Sequence, residues 1–259
     1  HALCLRHDGF GLWCIGSDGR CDMNANEAKM LTWIGIIRLG LVQTALGAIV
    51  VLTTSTLNRI MVVEYALPAV LPGALVGFHY AVQMSRPRWG YGSDVSGKRT
   101  PWIIGGMLVL AIGGALAAIA TAIMDTQFWP GVTLALFAFL LIGVGVGASG
   151  TSLLTLLATR VAANRRPAAA SIVWIMMIAG FVITAIIAGT ALDPYSSSRL
   201  VAVSVSVSVI AFLVACVAVL GLEGEGQVIS SKDAGQSKPS FGKAFADVDR
   251  KSTRLNSSH

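Results

Sequence analysis

The chain has 259 residues, of which 54% are hydrophobic and only 12% are charged. Because average soluble domains carry roughly 25% charged residues, this composition excludes a disordered chain and argues against an ordinary soluble enzyme. The net charge of +6 would suit a nucleic-acid-binding protein, but the basic residues lie between long apolar runs and form no basic face. The sequence therefore predicts an all-α integral membrane protein that does not bind nucleic acid.

The two ends of the chain differ from its centre. Residues 1–30 have no apolar period, and we expect this segment to be disordered or mis-framed translation. Its cysteines lack the close pairing of a metal site, so none is predicted there. Residues 223–259 form a polar tail that is predicted to be cytoplasmic, with an end that resembles translated sequencing adapter and is expected to be artefactual. The membrane domain is thus predicted over residues 31–222.

Six segments of this domain are predicted to span the membrane, since a hydrocarbon core of about 30 Å needs roughly 20 apolar residues per helix. In chain order they are Leu31–Thr56, Ala66–Met84, Pro101–Met124, Gly131–Thr159, Ala168–Leu192 and Leu200–Leu222. Pro68 and Pro72 predict a bend in the second span. Gly143 and Gly147 form a Gly-x-x-x-Gly pair in the fourth span, which predicts close packing on a neighbouring helix.

The charges in the loops predict the orientation of these spans. The loops after the second and fourth spans hold seven basic residues: Arg86, Arg88, Lys98, Arg99, Arg160, Arg165 and Arg166. The three other loops together hold two, Arg59 and Arg199. Because cytoplasmic loops carry the excess of Lys and Arg, both basic loops and both termini are predicted to be cytoplasmic.

A short motif lies in the first of these basic loops. Its positions are Gly90, Asp94, Gly97, Lys98 and Arg99. The glycines permit a close turn, the aspartate can face a cation at a helix end, and the basic pair anchors the loop at anionic headgroups. The motif resembles the one that the major facilitator superfamily (MFS) carries in the same loop, although Val95 replaces the usual basic residue.

Further stretches narrow the resemblance to the PucC family, the bacteriochlorophyll delivery branch of the MFS. They are residues 56–64, 78–83, 97–102, 143–152 and 172–177. The resemblance covers roughly residues 31–225 and implies two six-helix halves, of which this chain is the amino-terminal one. It also implies a role in assembling light-harvesting antenna complexes in a bacterial inner or photosynthetic membrane, with (bacterio)chlorophyll as cargo and antenna subunits as partners.

Two other functions remain open from the sequence: a secondary transporter of a small solute by alternating access, and a non-transporting membrane chaperone for antenna subunits. No acidic residue lies clearly inside a span, which disfavours proton-coupled transport unless the missing carboxyl-terminal half or a dimer partner supplies one. The sequence has no Ser/His/Asp arrangement, no paired carboxylates in a span and no phosphate-binding Gly-rich loop. We therefore expect no enzymatic activity and no catalytic residues.

Four polar residues inside the predicted spans are candidate ligand-binding residues. His79 and Gln83 share a helix face because they are four residues apart. A neutral imidazole can ligate the magnesium of a chlorophyll, whereas the alternative is a histidine hydrogen-bonded to a neighbouring helix. Arg38 either contacts an anionic ligand or extends to the lipid headgroups, and Gln43 lies just beyond it in the first span.

Overall fold

The computed structural model describes residues 3–5, 13–15, 31–88, 90 and 99–222. Two three-residue strands, β1 (Leu3–Leu5) and β2 (Trp13–Ile15), pair antiparallel. They lie within residues 1–30, for which disorder or mis-framing stays a prediction. In the rest of the described chain the regular elements are helices.

Seven α-helices are described between residues 31 and 222. They are α1 (Trp33–Val51), α2 (Leu57–Val63), α3 (Val70–Gln83), α4 (Thr100–Met124), α5 (Phe128–Arg160), α6 (Arg166–Ala191) and α7 (Ser197–Val219). A π-helical turn over Leu52–Thr56 joins α1 to α2, and a 3₁₀ helix over Ala163–Arg165 precedes α6. The predicted all-helical fold is confirmed, with one helical segment at each predicted span.

Short polar side chains mark two of the helix starts. The Thr32 hydroxyl accepts a hydrogen bond from the Gly35 amide at 3.3 Å, and the Ser196 hydroxyl accepts one from the Arg199 amide at 3.2 Å. These bonds satisfy amides that have no partner within the first helical turn. They fix where α1 and α7 begin.

Five helical segments in the described chain are long and apolar enough to cross a membrane. They are Trp33–Val63, Thr100–Met124, Phe128–Arg160, Ala163–Ala191 and Ser197–Val219. The second predicted span is shorter, because α3 has only 14 residues and is therefore about 21 Å long at about 1.5 Å per residue. Five of the six predicted spans thus meet this length among the described residues, and the second is represented by the shorter apolar helix α3.

The backbone before α3 explains this difference. Ala66 has a φ of 50°, in the left-handed region that ends regular helix for a residue with a side chain. Pro68 lies before α3, and Pro72 lies in its first turn, where the lack of an N–H costs no helical hydrogen bond. The two prolines therefore define the start of α3, and the predicted bend in the second span is wrong. The first span, in contrast, continues through the π-helical turn to Val63, beyond the predicted end at Thr56.

The helix packing has an internal symmetry. The five most extensive helix pairs are α4 with α5, α1 with α6, α4 with α7, α1 with α7, and α3 with α5. If α1 is exchanged with α5, α3 with α6, and α4 with α7, the same five helix pairs are obtained. The helices of the first three predicted spans (α1, α3 and α4) therefore pair in the same pattern as those of the last three (α5, α6 and α7).

Glycines bring α5 close to both of its neighbours. A Cβ built on Gly143 would lie 2.7 Å from Val82 Cβ of α3, and one built on Gly145 would lie 2.6 Å from the Leu110 amide nitrogen of α4. Since real Cβ atoms do not approach this closely, only glycine allows these helix separations. The close packing predicted at Gly143 is confirmed.

The outer faces of the helices are apolar. Exposed large side chains on α6 include Trp174, Ile178, Val182 and Ile186. A contiguous apolar surface of this kind is unfavourable in water and favourable against lipid tails. The protein is a multi-pass membrane protein whose helices contact lipid.

Candidate functional site

The candidate site lies where α3 packs against α5. His79 has no exposed surface, and Gln83 is 8% exposed. The His79 carbonyl oxygen lies 2.9 Å from the position of a Cβ on Gly143, so the backbone at His79 is held directly against α5. Because the two residues are one turn apart on α3, the helix aligns their side chains on its buried face.

A chain of hydrogen bonds runs along this face of α3. The Gln83 amide nitrogen lies 2.8 Å from His79 Nε2. An Nη of Arg86 donates to the carbonyl oxygen of the same Gln83 side chain. The buried imidazole is thereby connected, through one amide, to a guanidinium near the end of the helix.

The other imidazole nitrogen has no partner. His79 Nδ1 is buried and makes no hydrogen bond within the described structure. The ring itself packs edge-on against Tyr80, with ring centroids 4.7 Å apart. Ligation of a magnesium ion through Nε2 would require Gln83 to move away, because a single nitrogen lone pair cannot serve both partners.

The structure separates the other two candidates from His79. Arg38 Nε donates to the Ala218 carbonyl oxygen at 3.0 Å, and an Nη donates to the carbonyl oxygen of Leu220. Arg38 therefore binds the last carbonyl groups of α7, where a cation is favoured by the helix dipole. The predicted ligand contact of Arg38 stays a prediction.

Gln43 lies between α1 and α6. Its amide nitrogen is 3.1 Å from the sulfur of Met177, and its carbonyl oxygen is buried without a partner. The two helices are close here because a Cβ on Gly180 would lie 2.7 Å from the Thr44 carbonyl oxygen. Gln43, like His79, thus retains an unused hydrogen-bonding atom inside the membrane domain.

The loop motif is held against the second half of α5. A Cβ on Gly90 would lie 3.3 Å from Thr151 Cγ2, and Arg99 Nη1 donates to the Thr159 hydroxyl at 2.6 Å. Asp94, Gly97 and Lys98 lie outside the described residues. Both described ends of the loop therefore contact the same helix.

An apolar groove of about 340 Å³ opens between α4 and α5. Pro101, Trp102 and Gly105 line it from α4, and Val144 and Ala148 line it from α5. Its lining offers contacts to an acyl chain or a flat apolar ring rather than to an ion. Among the described residues, no group of three or more His, Cys, Asp or Glu side chains is placed to hold a metal ion.

Sequence reasoning missed the part that Arg86 plays in this site. The sequence assigns Arg86 to the basic loop, where it contributes to the predicted orientation. The signal was its spacing, because a residue three positions after Gln83 lies on the same face if the helical turn continues. The structure brings His79, Gln83 and Arg86 together.

Comparison with known proteins shows the family of this chain. The family model described as "PUCC protein" matches residues 56–256. A Rhodobacter capsulatus protein named "Bacteriochlorophyll synthase 44.5 kDa chain" is 54% identical over 193 residues, which is 74% of this chain and 45% of that protein. "Protein PucC" of Cereibacter sphaeroides is 30% identical over 219 residues, which is 80% of this chain and 47% of that protein.

The chain spans about half the length of the curated relatives that it matches. No solved structure matches it significantly. The family model covers most of the chain, and the C. sphaeroides relative carries the same name. The chain belongs to the PucC family.

Proposed function

We propose that this chain is the amino-terminal half of an MFS-type PucC protein that assists the assembly of light-harvesting antenna complexes by handling (bacterio)chlorophyll. The 54% identity to a protein named as a bacteriochlorophyll synthase chain supports a link to this pigment. The length of about half of each relative supports a protein with two halves. The antenna partner comes from the family resemblance.

The observation that carries the pigment proposal is the unused nitrogen of His79. Leaving a buried polar group without a partner costs about 1–3 kcal/mol in a protein interior. Inside a membrane domain, such a group is retained most readily where a ligand supplies the partner. His79 Nδ1 is buried and unpartnered within the described structure, which supports a ligand that reaches the α3 and α5 interface.

The symmetry of the helix pairs supports the MFS assignment. Exchanging the helices of the first three spans with those of the last three gives the same five helix pairs. Two three-helix repeats within one six-helix half give this pattern, and transporters of this kind bind their substrates between two halves. The second half would be the missing carboxyl-terminal part or a dimer partner.

We propose a non-enzymatic role for this half. The residues that meet at the site are an imidazole, an amide and a guanidinium, a set suited to binding and positioning a polar group. The word synthase in the name of the R. capsulatus relative describes that protein. The proposed membrane is the bacterial inner or photosynthetic membrane, with the loop of Gly90 and Arg99 on the cytoplasmic side.

The test is an absorption spectrum of the chain purified from a host that makes bacteriochlorophyll. Wild-type protein is expected to carry near-infrared absorbance, and His79→Leu is expected to lose most of it. Phe78→Leu is the matched control, because Phe78 is the preceding residue of α3 and its ring is 37% exposed. Wild-type protein without pigment would contradict pigment handling and favour the chaperone. Uptake of a small solute by vesicles containing the protein would favour the transporter instead.

A further inference from the structure

The hydrogen-bond chain on α3 determines which nitrogen of His79 carries its proton. A guanidinium has donors and no acceptor, so the atom of Gln83 that faces Arg86 must be the carbonyl oxygen. The structure has this orientation, with Arg86 donating to that oxygen. The orientation of an amide is often ambiguous, but here the neighbouring charge defines it.

The orientation of Gln83 in turn defines the state of His79. With its oxygen towards Arg86, Gln83 presents its NH₂ group to His79 Nε2 at 2.8 Å. An amide nitrogen only donates, so Nε2 must be the unprotonated acceptor. A neutral imidazole with an acceptor at Nε2 has its hydrogen on Nδ1, and Nδ1 is the buried atom without a partner.

We propose that His79 is a hydrogen-bond donor to its ligand through Nδ1–H, and that Arg86 and Gln83 are the positioning residues that keep it in this tautomer. The ligand group is then a neutral acceptor, such as a ring carbonyl of a tetrapyrrole, and the magnesium is bound elsewhere. Ligating a metal needs a nitrogen with a free lone pair, and in this arrangement neither nitrogen offers one. The identity of the ligand rests on the proposed function, whereas the tautomer does not.

The tautomer is tested on the complete chain without pigment, by nitrogen-15 NMR of labelled histidine. The chain has four histidines, and the His79 signals are those lost in His79→Gln. We expect a protonated Nδ1 and an unprotonated Nε2. The reverse pattern, or a doubly protonated ring, would overturn the proposal.

Two substitutions test the positioning residues. Gln83→Glu replaces the donor NH₂ with a carboxylate oxygen, so Nε2 is expected to become protonated. Arg86→Met releases the amide to turn over, and a second tautomer of His79 is expected to appear. Arg88→Met removes the neighbouring positive charge and is expected to leave the His79 signals unchanged. An unaltered Nε2 in Gln83→Glu, or an unaltered spectrum in Arg86→Met, contradicts the assigned control of the tautomer.

The ligand chemistry is tested with two pigments that share their ring carbonyls, bacteriochlorophyll and its magnesium-free form. If His79 donates to a carbonyl, His79→Leu is expected to weaken binding of both pigments by the same factor, about tenfold for one lost hydrogen bond. A loss confined to the magnesium pigment would show ligation and overturn the donor role. If neither pigment binds wild-type protein, the proposed function fails together with the carbonyl ligand, and the NMR result still decides the tautomer by itself.

Discussion

Two adjacent glycines of α4 provide a direct test of the tight helix packing. A Cβ on Gly106 would lie 2.6 Å from the Ser149 amide nitrogen and 3.0 Å from the Gly145 carbonyl oxygen, whereas a Cβ on Gly105 would meet nothing within 4 Å. Both lie in the second turn of the same helix, so alanine changes the local helix propensity equally at both positions. The difference between the two variants therefore isolates the steric cost of separating α4 from α5.

The expected magnitudes follow from these distances. Gly105→Ala is expected to be neutral or stabilising by up to about 1 kcal/mol, since alanine is the better helix former. Gly106→Ala gains the same amount but pushes one backbone against another, and overpacking costs typically about 1–3 kcal/mol. The second variant is therefore expected to be less stable than the first by about 1–3 kcal/mol.

The measurement is the free energy of unfolding in mixed micelles, from titration with a denaturing detergent. A gap of 1.4 kcal/mol is a tenfold difference in the folded-to-unfolded ratio, which this titration resolves. Equal stability of Gly105→Ala and Gly106→Ala would refute the backbone contact between α4 and α5. The same result would remove the main support for the position of the apolar groove.

Three further outcomes are expected from side chains elsewhere in the domain. Arg38→Met removes the bonds to the carbonyl end of α7 and should destabilise by about 1–2 kcal/mol in the same titration; an unchanged stability would contradict this capping role. Gln43→Leu removes a buried carbonyl oxygen that has no partner and should leave stability unchanged or raised, so a clear loss would show a partner that the structure does not contain. Burial, together with the hydrogen bond between the Tyr195 and Tyr65 hydroxyls, raises the pKa of Tyr195. The neutral Tyr195 phenol therefore stabilises the folded state fully below the unfolded pKa of about 10, and this contribution is lost as the pH rises further. In an alkaline titration, the free energy of unfolding of the wild type should fall more than that of Tyr195→Phe.

Hydropathy predicted most of the fold because it follows from the thickness of the bilayer. The third predicted span ends at the observed residue, Met124, and begins one residue away, at Thr100. The errors lie where backbone conformation decides. Nothing in the apolar pattern marks the π-helical turn that carries the first span on to Val63, and the positive φ of Ala66 is unusual for alanine. Backbone conformation at one or two residues thus moved the ends of helices whose approximate positions the composition predicted correctly.

The candidate site was predicted in part, for a different reason. The shared face of His79 and Gln83 follows from a spacing of four on any helix, and the structure has a hydrogen bond between their side chains. The partners of Arg38, in contrast, lie 180 residues away along the chain. No sequence pattern within a single span can predict a contact between residues so far apart along the chain. Only the packing of α1 against α7 brings the guanidinium to the end of α7.

The four candidate residues are all polar, but they differ in whether they retain a buried hydrogen-bonding atom without a partner. Arg38 is engaged with backbone carbonyl groups of α7, and Gln83 has its nitrogen on His79 and its oxygen on Arg86. Gln43 and His79 each retain one buried atom without a partner. The cost of such an atom inside a membrane domain is offset when a ligand or the second half of the protein supplies the missing bond. A group that binds at Gln43 is therefore expected to be a hydrogen-bond donor, and a group that binds at His79 is expected to be an acceptor.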